Sequence, residues 1–151
     1  MYDSITMQVI DDVVEAIAFS DLAFDQFYKT YGISRVQFRA LFYILKDEEK
    51  GIILSGLGEK LFVSKSNITT LIDRMEAGGL VKRKPDENDR RIIQVIATEK
   101  GKKIVNLILP KLNEFTDEIF SCLTEQEVET VKKIFQKLRN HIQCITSKST
   151  P

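Results

Sequence analysis

Only two cysteines, Cys122 and Cys144, occur in the 151 residues, far apart and with no CxxC pair. Neither a disulfide scaffold nor a thiolate zinc site is expected from them. The single histidine, His141, has no second histidine with which to build a metal site or a catalytic dyad, and it is expected on a helix surface. No apolar run approaches the roughly 18 residues of a transmembrane helix. The opening Met1-Tyr2-Asp3-Ser4 lacks the basic region and apolar stretch of a secretory signal, so a cytoplasmic location is expected. Internal repeats, low-complexity tracts and Pro/Gly-rich linkers are all missing. So are a nucleophile–base pair, a glycine-rich phosphate loop and any metal-ligand spacing. An enzyme is therefore not expected, nor is a cofactor. Net charge is missing too, since 22 Lys+Arg balance 22 Asp+Glu.

The distribution of charge is more informative than its sum. Residues 1–30 hold six Asp/Glu and one Lys, whereas residues 82–103 hold eight Lys/Arg and four Asp/Glu. A basic stretch in a neutral protein is a local footprint that guides a polyanion to one surface, although most charge runs are merely solvated faces.

With 43% apolar residues, the chain is long enough for one domain with a sizeable core. Ile10, Val13, Val14, Ile17, Leu22, Phe24, Phe27 and Tyr28 recur at helical spacing and predict a long first helix ending near Tyr31-Gly32. Ser34 and Gln37 form a capping box for a second helix, with Leu41, Ile44 and Leu45 on its core face. After a short extended Ile52-Ile53-Leu54, Ser55 is the expected cap of a third helix through Leu61. Ser64 caps a fourth, where Ile68, Leu71, Ile72 and Met75 share one face and Gly78-Gly79 stop it. Leu80–Lys84 and Ile92–Ala97 flank a polar tip and predict a hairpin. The fifth helix starts at Thr98–Gly101, turns Ile104, Leu107, Ile108, Leu112, Phe115 and Ile119 inward, and carries Pro110, which should kink it or break its ladder locally. Thr124 and Glu127 cap a sixth, whose Val128, Val131, Phe135, Leu138, Ile142 and Ile145 form a helix-packing seam.

Helix, turn, helix, hairpin is the order of a winged helix-turn-helix. Helix four's apolar face can pack on Leu57 and Leu61 of helix three, leaving its other face to enter a major groove. Ser66, Thr70, Asp73 and Ala77 lie on that other face, with Asn67 and Arg74 beside them. Small hydroxyls and amides suit close approach to phosphates or base edges; an ordinary amphipathic surface helix would show the same pattern. The hairpin tips the balance. Lys82, Arg83 and Lys84 lie on one strand, and Arg90 and Arg91 close the tip, where arginine suits a narrow minor groove. Asp89 can hold an arginine fork in one rotamer before binding.

From Leu57-Gly58-Glu59-Lys60-Leu61 through Ser64–Glu76, Gly79-Leu80-Val81, Asp86, Asp89-Arg90-Arg91 and Thr98-Glu99-Lys100-Gly101, the sequence resembles the MarR family of regulators. That resemblance implies a mainly α fold with a small β-hairpin wing. Residues 1–33 and 104–146 would be a helical dimerisation region, 34–103 a winged helix-turn-helix DNA-binding region, and 147–151 a disordered tail. It implies a homodimeric regulator, a repressor by default because a bound dimer blocks access. Double-stranded DNA is the expected partner, read as a pseudo-palindromic operator. Recognition roles fall to Ser64, Lys65, Ser66, Asn67, Thr69 and Thr70, and wing roles to Asp89 and Arg91. Arg74, Lys84 and Arg90 complete the expected DNA-binding set. Two departures stand out: Phe62 occupies a turn position where many relatives have glycine, and Gly56 and Gly58 weaken helix three by about 1 kcal/mol each relative to alanine.

The aromatics from Phe19 to Tyr43 are either plain core or the wall of an effector pocket, and the resemblance implies a small aromatic or phenolic molecule as the effector. Tyr31, Phe42 and Tyr43 are the candidates, the tyrosines because a hydroxyl can orient a ligand. Cys122 and Cys144 read as structural or incidental thiols, since a reactive cysteine needs an electropositive, accessible setting.

Overall fold

The computed structural model describes residues 4–47, 51–86 and 92–147. Its elements are α1 (Ile5–Thr30), α2 (Arg35–Lys46), β1 (Ile52–Ile53), α3 (Leu54–Leu61), α4 (Lys65–Ala77), β2 (Val81–Pro85), β3 (Ile93–Ala97), α5 (Glu99–Phe120) and α6 (Glu125–Ser147). The expected helices and hairpin strands are all present. Two compact units divide the chain, Met1–Ile108 and Leu109–Pro151.

In the first unit, local chemistry sets the helix ends. The Ser4 hydroxyl accepts from the Met7 N–H at the start of α1, and the chain leaves the helix through Gly32 at φ +65°. Ser34 and Gln37 make both bonds of the expected capping box: Ser34 N–H donates to Gln37 Oε1 at 3.0 Å, and Gln37 N–H donates to Ser34 Oγ at 3.3 Å. A cap of this kind stabilises a helix by about 1 kcal/mol. Between α1 and α2, Arg35 pairs with Asp21 and lies 4.8 Å from the centre of the Phe24 ring. Tyr28 is buried with its ring 5.1 Å from that of Phe38, and desolvation pushes its hydroxyl pKa up against the opposing pull of Arg35 and Arg39.

The core is drawn mainly from α2, α3, α4, the first half of α5 and the sheet. Leu41 and Ile44 of α2, Leu57 of α3, Ile68, Ile72 and Met75 of α4 and Ile108 of α5 are fully buried, together with Val81 and Val95 of the sheet. Each contributes roughly 1.5–3 kcal/mol of apolar burial. The three-and-four spacing within α4 is what keeps its opposite face out of the core.

Three local expectations change. The sheet has three strands in the order β1-β3-β2, because Ile52 and Ile53 pair antiparallel with Val95 and Gln94. That pairing carries the chain into α3 two residues early. Ser55 is therefore inside the helix, and the cap position falls to Ile53, which makes no side-chain cap bond. On α5, Gly101, Val105 and Ile108 form the buried stripe while Leu107 is 62% exposed. A step of about 100° per residue puts 107 well off the face that 101, 105 and 108 share. Pro110 has no N–H for the carbonyl of Asn106, yet α5 continues to Phe120.

In the second unit, α6 opens on the expected capping box. Thr124 N–H donates to Glu127 Oε2 at 2.8 Å and Glu127 N–H donates to Thr124 Oγ1 at 3.3 Å. Bonds from the Thr124 backbone and hydroxyl hold the Glu127 carboxyl below its ordinary range. The α6 seam is exposed except at the half-buried Val131, with Phe135 at 50% and Ile142 at 52%. Cys122, Cys144 and His141 are exposed as well.

Candidate nucleic-acid interface

Packing of α3 and α4 fixes which face of α4 looks outward. With Ile68, Ile72 and Met75 fully buried and Leu71 half-buried beside them, the opposite face of the helix must point away. Ser64, Lys65, Ser66, Asn67, Thr69, Thr70, Asp73, Arg74 and Ala77 are all exposed. The structure thus brings Lys65, Ser66, Asn67, Thr69, Thr70 and Arg74 onto one accessible helix, with Ser64 as its cap.

Their hydrogen bonds refine what each can do. Ser64 Oγ accepts from Asn67 N–H at 3.4 Å, which caps the helix and preorganises its first turn. Thr69 Oγ1 donates to Lys65 O at 3.0 Å and Thr70 Oγ1 to Ser66 O at 3.1 Å. With their protons directed at the helix backbone, both hydroxyls turn lone pairs outward. Such an oxygen is set to accept from a base amino group, rather than to donate to a phosphate. The exposed N–H groups of the first turn and Lys65 are better suited to phosphate.

The wing strands supply the second part. Lys82 and Lys84 are exposed on β2. Asp89, Arg90 and Arg91 lie outside the described residues. Arg83 takes a different role from its basic neighbours. Its guanidinium reaches back to α4, bonding Glu76 through one nitrogen and Asp73 Oδ1 at 2.6 Å through the other. Its own N–H donates to Glu76 Oε1 at 3.0 Å. The hydrogen bond to Asp73, with further help from Glu76, raises the proton affinity of Arg83 despite partial burial.

A family model described as MarR family matches residues 31–92, the span from the end of α1 through the wing. The transcriptional repressor MprA of Escherichia coli is 30% identical over 114 residues, covering 76% of this chain and 65% of MprA. Over residues 31–92 the chain is similar to the MarR family. Two solved structures show the same fold at 21% identity. They are AbsC, a MarR family regulator from Streptomyces coelicolor (TM-score 0.86; 95% of this chain and 98% of that one), and the S. aureus MepR–DNA complex (TM-score 0.78; 87% and 96%). The known proteins this chain resembles are transcriptional regulators, not enzymes.

Within this fold, the effector candidates fall into two groups. Tyr31 is half-buried and packs on Phe27 with ring centres 5.2 Å apart, while the Phe42 and Tyr43 rings lie 6.0 Å from each other. Lys60 Nζ stands 5.7 Å from the Tyr43 ring centre.

Arg83 lies on the expected basic strand, but its pairing with α4 is what sequence reasoning missed. The signal was Asp73 and Glu76 one helical turn apart, two acids on a helix otherwise suited to a polyanion. By pairing with both, Arg83 masks carboxylates on the outward side of α4 and fixes β2 against that helix. Exposed pairs of this kind contribute at most about 1 kcal/mol to stability. The expected larger effect is on binding: Arg83→Ala should weaken binding to a selected duplex about ten-fold, or ~1.4 kcal/mol. Adding Asp73→Asn and Glu76→Gln should recover part of that loss, measured by fluorescence anisotropy at fixed salt.

Proposed function

We propose that this protein is a homodimeric, sequence-specific repressor that reads a pseudo-palindromic operator with two copies of α4. The carrying observation is the two-faced α4, with a fully buried Ile68–Ile72–Met75 stripe behind an exposed Ser66, Asn67, Thr70 and Arg74 row. The DNA complex of MepR, a protein of the same fold, supports the DNA partner, and the repressor MprA supports the sign of regulation. In this reading residues 34–103 bind DNA. Arg91 enters the minor groove at the wing tip with Asp89 orienting it, while Arg90 and Lys84 meet phosphates alongside. Residues 1–33 and 104–146 form the dimerisation region. Support for a second copy comes from α1, where Ile5, Val14, Ile17, Phe19 and Leu22 are all more than half exposed, and from the exposed α6 seam. A small aromatic or phenolic effector held by Tyr31, Phe42 and Tyr43 would release the operator. The protein acts where the DNA is, in the cytoplasm.

The test is selection of bound sequences from random duplex DNA, paired with sedimentation at micromolar concentration. A dimer is expected, with inverted half-sites centred about one helical turn, ~34 Å, apart. A well-folded monomer, or a single unrepeated half-site, overturns the proposal. Absence of any salt-dependent DNA affinity would instead indicate a winged module that grips protein.

A further inference from the structure

Phe62 ends α3 with φ 58° and ψ 40°, the sole non-glycine residue among those described with a positive φ. This left-handed conformation is where glycine sits without strain and a bulky side chain does not. Local bonding imposes it: Phe62 N–H donates to Glu59 O at 3.2 Å and Val63 N–H donates to Gly58 O at 3.0 Å. Strain of this kind is ordinarily offset by burying the side chain. Here it is not. The phenyl group borders an open groove of about 540 Å³ with Val63, Lys65 and Ile68, and it remains 87% exposed. Neither the backbone nor the core accounts for a phenylalanine at this position.

Its place in the chain does. Phe62 stands two residues before Ser64, the cap of α4, beside the exposed Lys65 and Ser66. A helix that enters a major groove by its N-terminal end brings the preceding turn to the edge of the same groove. The apolar feature a major groove offers there is the C5-methyl group of thymine. We propose that Phe62 is a specificity-determining residue that packs its ring on a thymine methyl at the edge of each half-site. This rests on the reading of α4 as the DNA-reading helix.

The test replaces each thymine of a selected duplex in turn by deoxyuridine, which removes only the methyl group. For the unaltered protein, one step per half-site should lose about four-fold in affinity, the worth of one buried methyl-sized group. Phe62→Gly and Phe62→Asn should bind more weakly and no longer distinguish thymine from deoxyuridine at that step. Both should melt no lower than the parent, the glycine variant about 2–4 °C higher as the backbone relaxes. A uracil effect that persists in both variants, or is absent from the parent, overturns the inference while leaving DNA binding intact. A marked fall in melting temperature in both variants would make Phe62 a structural residue and overturn it too. If the parent binds no duplex at all, the DNA reading falls first and this inference with it.

Discussion

Ser66→Glu and Thr70→Glu are each expected to lower affinity for a selected duplex by about 100-fold or more, ~2.7 kcal/mol, with almost no change in folding. Both residues are exposed on the outward row of α4, so neither substitution disturbs the buried stripe. A new carboxylate about 6 Å from a phosphate costs on the order of 3 kcal/mol at an effective dielectric near 20. Asp73 and Glu76 already sit on this helix, but Arg83 is held against both. The introduced acid has no such partner. Ser66 lies in the first turn, where negative charge favours the helix by about 0.3–1 kcal/mol. Ser66→Glu should therefore melt at the parent temperature or slightly above it while binding far more weakly. Anisotropy titrations beside thermal melts separate the two effects. Equal losses of stability and affinity would show that the wrong face of α4 has been assigned to DNA.

Gly101→Ala should destabilise the fold by about 2–3 kcal/mol, a large effect for one added methyl group. A Cβ at this position would stand 2.3 Å from the carbonyl oxygen of Leu80 and 2.9 Å from Leu41 Cδ2. The first contact is with backbone, so it cannot be relieved by a rotamer change. The approach is close because the first turn of α5 docks on the end of α4. Thr98 Oγ1 donates to Gly79 O at 2.7 Å, and Lys100 Nζ donates to Gly78 O at 2.8 Å. Alanine is the better helix former by about 1 kcal/mol, so helix propensity predicts the opposite sign. Urea denaturation decides between them: the midpoint should fall with an unchanged slope. Because the same contacts position the end of α4, DNA affinity should fall beyond what the unfolded fraction explains.

Much of the molecule was legible in the residues alone, for reasons that lie within a few positions of chain. Helical periodicity placed six helices, three-residue offsets placed the capping boxes at Ser34 and Thr124, and the serine before the apolar run placed the cap at Ser64. The buried stripe of α4 followed from Ile68, Ile72 and Met75, and so did the outward row of candidate DNA-binding residues. Such features depend on backbone geometry that every helix shares.

What the residues could not determine depends on segments that meet only after folding. Ile52 and Ile53 became a third strand because β3 lies beside them, which displaced the cap of α3 from Ser55. Arg83 belongs to α4 electrostatically although it belongs to β2 in sequence, and only the approach of strand to helix revealed that. Gly101 looks like a weak point in a helix until Leu80 is seen against it. Phe62 looks like one more apolar residue until its backbone proves left-handed and its ring exposed. Local periodicity says which way a side chain points from its own element. It cannot say what stands on the other side, and that was decided by the packing of α4 against α3, β2 and the start of α5.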